Sequence, residues 1–524
     1  MFTIAILIGI YSYIIFALGL TGLIYRQNIL IVTFILLFSA LYFYKSTPRV
    51  LFRRFLNVIS EKDRLFLTFL GLIIIQILVN FVGVLGPELS FDSLWYHLTL
   101  PKLYLENHSI YYIPGGLLYY STMPKLTEML YLGAFAFGSE IFAKFIHFSF
   151  GILTLIALYK LSRKFFISKF ALLACVIFYS NLVVGWMSIA AYVDLARTFF
   201  EIMALWGIIN WWEEGEKKWL IESGVMLGLA ISTKLLAIES LIIFSILILF
   251  YFLKHKRKLI DLLISLIIFW SICLLIPLPW FVFSFIHTGN PIYPFLSSIY
   301  PVTFNLELIN PLTLSDPIFP LYIVLIPIGL LLLGKQKLRF KIISFYAILA
   351  IFTWQLTPNT GGGRFILSYL PAFSILSAFV IQYAWKLKIK IVIVGLVVFF
   401  LLFSIIYRLG ANLKYIPVII GTESKQEFLS ENLNFKFGDF YDTDGFFKKN
   451  IKSTDKVLLY GFHNLYYVNF PFIDSTFAKK GDRFNYIAVQ NSNIPKRFKN
   501  WSLIYYNSRT GVKVYSLGGL KWTY

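Results

Sequence analysis

Long apolar runs cut off by charged residues recur along this 524-residue chain, and no other feature limits its fold so strongly. A helix needs about 20 apolar residues to cross a bilayer. Backbone in lipid must satisfy its own hydrogen bonds, as a helix or a closed barrel. The runs predict thirteen spans, near 2–24, 29–44, 65–84, 140–160, 170–187, 197–212, 219–233, 235–253, 259–279, 318–333, 341–356, 365–385 and 391–407. Hydrophobic residues make up 58% of the chain and charged residues 14%, so a soluble fold could not hide the apolar surface. The first run has no basic n-region and no charge before Arg26, which marks a membrane span rather than a signal peptide. An odd number of spans puts the two chain ends on opposite sides of the membrane.

Charge gives the orientation. The connections Lys45–Arg64, Lys160–Lys169, Lys217–Lys218, Lys254–Lys258, Lys335–Lys341 and Lys386–Lys390 hold 23 of the 47 Lys and Arg residues. The alternating set, 25–28, 85–130, 188–197, 234, 280–317 and 357–364, holds six: Arg26, Lys102, Lys125, Arg197, Lys234 and Arg364. Positive residues stay inside, so the first set and the N-terminus are expected in the cytoplasm, with the second set and the C-terminal tail outside. The net charge of +21 is therefore a membrane-orientation signal and not a nucleic-acid footprint. Cys175 and Cys273 lie far apart in apolar runs, without metal or redox spacing.

The chain divides into a polytopic part, 1–407, and a tail, 408–524, of ordinary hydropathy. Within the first part, segment 85–130 is too long for a turn, and its mixed Trp and Tyr content suits short helices lying in the interface. Segment 280–317 reads the same way. In the tail, 456–461 and 485–490 have strand character, and 503–517 reads as a hairpin turning at Asn507–Gly511. The expected tail is a small α/β domain.

Ionisable residues near a bilayer are costly and are functional candidates for that reason. Asp92 stands directly after the third span, where it could act as a base or cap a helix. His97 follows at about 140° around a helix, which disfavours a shared metal. Asp194, three residues before Arg197, fits either a site role or a local helix ion pair. Lys234 could neutralise a phosphate or simply snorkel. Arg364 follows three glycines, whose amides could bind an anion or form a plain turn. No dinucleotide or Walker pattern is present.

Four segments occur in a telling order: FDSLWYHLTLPKLYLE, AAYVDLARTFFE with GVMLGLAISTKLLA, PWFVFSFIHTGNPIYPF, and GGGRFILSYLPAF. Together they resemble the GT-C class of membrane glycosyltransferases, in particular the group related to protein O-mannosyltransferases (glycosyltransferase family 39) and the aminoarabinose transferase of lipid A. Two details depart from that pattern. Two spans, not one, precede the span before the acidic loop, and Ser93 follows Asp92 where many relatives have a second acid.

The resemblance implies an all-α polytopic GT-C fold in a bacterial-type inner membrane, with an extracytoplasmic C-terminal domain. It implies transfer of a sugar from a polyprenyl-phosphate or diphosphate donor to a glycan, lipid or protein hydroxyl, with inversion. Asp92 would be the base and Lys234 and Arg364 the phosphate contacts. Asp194, Tyr96 and His97 would complete the substrate site. The sequence assigns no cofactor, leaves a divalent metal open without indicating one, and points to no nucleic-acid partner. A carrier or flippase for a lipid-linked or anionic substrate would share the polytopic shell and the outer cations. A membrane anchor with a binding tail would not explain the chemistry gathered at 85–130.

Overall fold

The computed structural model describes residues 1–43, 63–299, 314–335, 337–357, 362–385, 390–518 and 521–524. The basic connections at 45–62 and 386–389, residues 300–313 of the second outer segment, and Gly361 lie outside them. A helix stands at every predicted span, from Phe2–Leu20 to Lys390–Leu413. Among the described residues seven helices are long and apolar enough to cross a membrane on their own. The count becomes eight if Leu259–Leu275 and Leu278–Thr288, bent by 61°, form one span. Length and composition therefore do not reach thirteen. Tyr322–Leu331 has ten residues, Ser168–Tyr179 has twelve, and Asp194–Glu214 carries Asp194, Arg197 and Glu201 in its first half.

Local chemistry explains where helices break. The run expected at 170–187 is two helices, Ser168–Tyr179 and Leu182–Met187. Between them Asn181 adopts an extended backbone, and its side chain donates to the carbonyls of Ile177 and Phe178 at 3.0 and 2.8 Å, at the end of the first helix. The 61° bend falls at Ile276–Pro277, just before Pro279; each proline lacks the N–H that would continue the ladder.

Helix Asp194–Glu214 is the buried centre of the bundle. It packs closely on Lys217–Thr233, because Gly207 meets Ser223 with no room for a side chain: a Cβ on Gly207 would lie 2.9 Å from Ser223 Cβ. Such small-residue contacts let membrane helices approach. Arg197 Nε binds Glu201 at 2.9 Å and its Nη2 binds Glu239 at 3.0 Å and Tyr369 Oη at 3.2 Å, which ties three helical segments together inside the bundle. Peripheral helices turn apolar side chains outward; Ile391 is 75% and Ile406 67% exposed. That surface needs lipid.

The two sets of connections occupy opposite ends. At one end Glu213 joins Lys164 and Arg339 at 2.7 and 3.0 Å, and Lys169 joins Asp63 at 2.9 Å. At the other end the first outer segment packs on the turn after the first helix, with Ile110 N donating to Gly19 O and Ile24 N to His108 O, each at 3.0 Å. The first outer segment does form short helices, a π turn at Ser93–His97 and an α-helix at Thr99–Glu106.

The tail lies on that same end. Its five-stranded sheet has the order β2-β1-β4-β6-β5, where β1 is Val457–Tyr460, β2 Phe472–Asp474, β4 Tyr486–Val489, β5 Ser502–Tyr506 and β6 Lys513–Ser516. β1 pairs in parallel with β2 and β4, and the β5–β6 hairpin turns where the sequence places it, with Asn507 N donating to Val512 O at 3.0 Å. Two short strands, β3 (Arg483–Phe484) and β7 (Trp522–Thr523), pair separately. The sheet domain docks on the first outer segment. Lys102 Nζ donates to Tyr466 O, Val468 O and Asn469 Oδ1 at 2.9, 2.6 and 3.0 Å.

Candidate functional site

The loop that carries Asp92 is held from below. Lys144 Nζ, fully buried, donates to Gly83 O and Gly86 O at 2.8 and 2.7 Å, the carbonyls left open at the end of helix Arg64–Leu85. The Glu88 carboxylate then accepts from Leu89 N, Ser90 N and Ala191 N at 2.9, 2.8 and 2.6 Å. This ties the Asp92 loop to the segment leading into Asp194. His147 fixes the other side of that segment: its Nδ1–H donates to Ala190 O at 2.7 Å and its Nε2 accepts from Leu195 N at 3.0 Å.

Asp92 is not a helix cap. It sits in right-handed helical backbone, and its carboxylate bonds no amide of the following turn. Instead Oδ2 receives Arg364 Nη1 at 2.6 Å and, weakly, Tyr96 Oη at 3.5 Å. Its backbone N–H donates to Tyr192 Oη at 3.2 Å. Among the described residues Oδ1 makes no hydrogen bond. Burial, and then the Asp92 charge, push the Tyr96 phenol well above its ordinary value, so it remains a donor.

Arg364 reaches Asp92 from the turn Gly362–Arg364. Gly362 has φ +53, and a Cβ on Gly363 would lie 2.0 Å from Asp316 O, so this turn admits no larger residue against its neighbour. The guanidinium carbon lies 5.1 Å from the Tyr192 ring centre, and Nε is buried without a partner among the described residues. Burial opposes the Arg364 charge, but Asp92 and Asp194 more than offset it and raise its pKa further.

Asp194 does not pair with Arg197. Arg197 is taken by Glu201 and Glu239, whereas Asp194 Oδ1 receives Lys234 Nζ at 2.7 Å. Nor does Lys234 snorkel. Its side chain is 19% exposed, and Nζ lies 5.3 Å from the ring centre of Phe365, which also stands 5.8 Å from the Arg364 guanidinium. Phe365 thus lies near the cations of both pairs. His97 is buried, with Nδ1 2.7 Å from Glu128 Oε1. It lines a small cavity of about 60 Å³ together with Tyr96, Tyr120, Glu128, Thr233 and Lys234.

The structure brings all six sequence candidates to one end of the bundle, with Asp92, Tyr96 and Arg364 in contact and Asp194 with Lys234. It adds Tyr192 and Asp316, which the sequence reading missed. Tyr192 lies two residues before Asp194 and looks like ordinary interface aromatic content. Asp316 sits in a proline-rich connection with no pattern around it. Among the described residues no three His, Cys, Asp or Glu side chains converge as a metal site; each of the two leading carboxylates faces a cation instead.

Residues 129–283 match the family model of dolichyl-phosphate-mannose-protein mannosyltransferases. No curated protein sequence matches the chain significantly. In three dimensions the chain is similar to ArnT from Cupriavidus metallidurans, solved bound to undecaprenyl phosphate and in the apo state. Each comparison gives a TM-score of 0.58 and 12% identity over 85% of this chain and 97% of that one. The oligosaccharyltransferase AglB from Archaeoglobus fulgidus, in complex with an inhibitory peptide and a dolichol-phosphate, gives a TM-score of 0.47 at 12% identity, over 80% of this chain and 69% of that one. The family model thus matches the chain over residues 129–283, and the likeness to ArnT shows a shared fold over most of its length.

Proposed function

We propose that the chain moves a sugar from a polyprenyl-phosphate-linked donor to an acceptor hydroxyl on the outer face of the membrane, with inversion. The observation that carries this reading is the pairing of Asp92 with Arg364 beside the pairing of Asp194 with Lys234. Four ionisable side chains from distant segments meet at one end of an apolar bundle, where a lipid-held donor and a water-borne acceptor can both arrive. The crystal structure of ArnT with undecaprenyl phosphate supports a lipid-phosphate donor for this fold.

In this reading Arg364 aims the Asp92 carboxylate through Oδ2 and leaves Oδ1 open to an acceptor hydroxyl. As the hydroxyl oxygen attacks the anomeric carbon, Asp92 takes its proton and the bond from that carbon to the phosphate oxygen breaks. The leaving phosphate develops charge at the moment it departs. The unpartnered Arg364 Nε–H and the remaining N–H groups of Lys234 are donors for that charge, and fixed donors act most strongly where charge develops. Phosphate leaves readily, so one carboxylate base suffices. Asp194 holds Lys234 in place. The tail, docked on the Asp92 segment, stands on the outer side in this reading.

The test is transfer by the purified protein in proteoliposomes, from polyprenyl-phosphate-linked sugars to soluble acceptors, with the anomeric configuration of the product read by NMR. An inverted product supports the reading. A retained configuration, or lipid movement without glycosidic bond formation, would contradict it.

A further inference from the structure

A large cleft lies away from Asp92. It is the seam between the first outer segment and the sheet domain, and it encloses about 700 Å³. One wall carries Glu106, Asn107 and Tyr112; the other carries Asn469, Phe470 and Asp482. A second pocket of about 350 Å³ shares Glu106 and Asn469 with it and continues the groove past Lys102.

The seam is pinned at both ends and open between. At one end the Lys102 ammonium is spent on three acceptors of the sheet domain, Tyr466 O, Val468 O and Asn469 Oδ1. At the other, Gly115, with φ +89, approaches so closely that a Cβ there would lie 1.9 Å from Thr476 O. Two domains fixed this tightly would be expected to close the space between them, as interiors and interfaces pack to high density. The gap that remains has the size of a ligand site.

Its lining selects the ligand. Tyr111, Tyr112, Phe470 and Phe472 offer aromatic surface, interleaved with the planar polar groups of Glu106, Asn107, Asn469 and Asp482 and with the ammonium groups of Lys456 and Lys479. Sugars present C–H faces that lie on aromatic rings and hydroxyls that bind carboxylates and amides. A lipid tail needs an apolar wall, such as the separate groove of about 390 Å³ lined by Ile8, Phe137, Phe142 and Phe145. A peptide would add to the exposed edge of β2, but that strand has three residues and follows Pro471, which has no N–H to give.

We propose that this seam is a second binding site, which holds the body of a saccharide-chain acceptor whose reacting hydroxyl lies at Asp92. The stretch from Asp92 to Glu106 spans at most roughly 20 Å, at about 1.5 Å per helical residue. A chain of several sugar units is long enough to bridge that distance. The proposal rests on the glycosyl-transfer reading above and extends it to the class of acceptor.

The experiment uses the full-length protein in lipid nanodiscs against an array of neutral and uronic-acid oligosaccharides, from disaccharides to octasaccharides. Wild type should retain the longer chains, and both Tyr112→Ala and Asn107→Trp should weaken retention about tenfold or more. Asn107 is an exposed residue at a helix end, so the tryptophan fills the mouth of the cleft without entering a core. If wild type retains no chain on the array, or both variants retain chains as wild type does, the saccharide site is overturned. Retention of peptides from a parallel array, lost in the same variants, would overturn it in favour of a peptide acceptor. Transfer by wild type from a lipid-linked donor to a short soluble acceptor is measured alongside. Its presence without chain retention sinks only this proposal, whereas its absence with chain retention sinks the transfer reading on which it was built.

Discussion

Arg364 Nη1 lies 2.6 Å from Asp92 Oδ2, across 272 positions of sequence. In the proposed mechanism the guanidinium orients the carboxylate while keeping other N–H groups for a phosphate. Arg364→Lys keeps the charge but loses the planar fork, and such exchanges are not conservative where geometry matters. We expect kcat/KM for the donor to fall by about 10²-fold or more in steady-state transfer assays. A value within a fewfold of wild type would show that Arg364 only closes the turn.

Lys234 and Asp194 form the second pair, at 2.7 Å, with the Asp194 side chain only 4% exposed. Removing the cation strands a buried carboxylate, a loss on the order of 3 kcal/mol. Lys234→Met should therefore melt earlier in detergent, and Asp194→Asn added to it should recover part of the loss because the orphaned charge is gone. Equal melting of wild type and Lys234→Met would mean that solvent already screens the pair.

Asp316 faces the Arg364 turn from outside the spans. Burial pushes its carboxyl up to about 6, with Arg364 pulling the other way. Below that value Asp316 is neutral and Arg364 is less compensated; above it, Asp316 carries a negative charge toward the phosphate site. A phosphodiester donor keeps its charge throughout. The donor KM should rise as pH rises through about 6, and Asp316→Asn should remove that rise, which titration of KM in the two proteins checks. The same pH profile in both would place Asp316 outside the field of the donor.

Orientation has a clean readout because both native cysteines are buried. Ser492 is exposed in the tail. A Ser492→Cys variant should react with a membrane-impermeant maleimide in cells whose inner membrane is intact. Reaction only after that membrane is opened would reverse the assigned orientation.

Apolar run length made most helices legible in the sequence, since a bilayer demands that length whatever the neighbours are. Two helix breaks were not legible. Asn181 and the stretch at Pro277 interrupt runs that read as single spans, because one side chain or one missing N–H acts locally while hydropathy averages over many residues. The candidate residues were legible by the same cost argument, as ionisable groups next to apolar runs. Their partners were not. Local spacing offered Asp194 with Arg197, but the fold gives Asp194 to Lys234 and Arg197 to Glu201 and Glu239. Asp92 offered a cap until tertiary packing brought Arg364 to it. Pairing across 272 positions leaves no trace in one sequence, and neither does the cleft between two domains.

The most direct test is Asp92→Asn in the purified protein, reconstituted with polyprenyl-phosphate-linked sugars. Asparagine keeps the size of the side chain and an acceptor oxygen for Arg364, but it cannot take a proton. Base catalysis typically contributes about 10²–10⁴-fold in rate. The account requires a folded variant whose kcat falls by that order while the donor still binds. Transfer at a near wild-type rate by folded Asp92→Asn would contradict it.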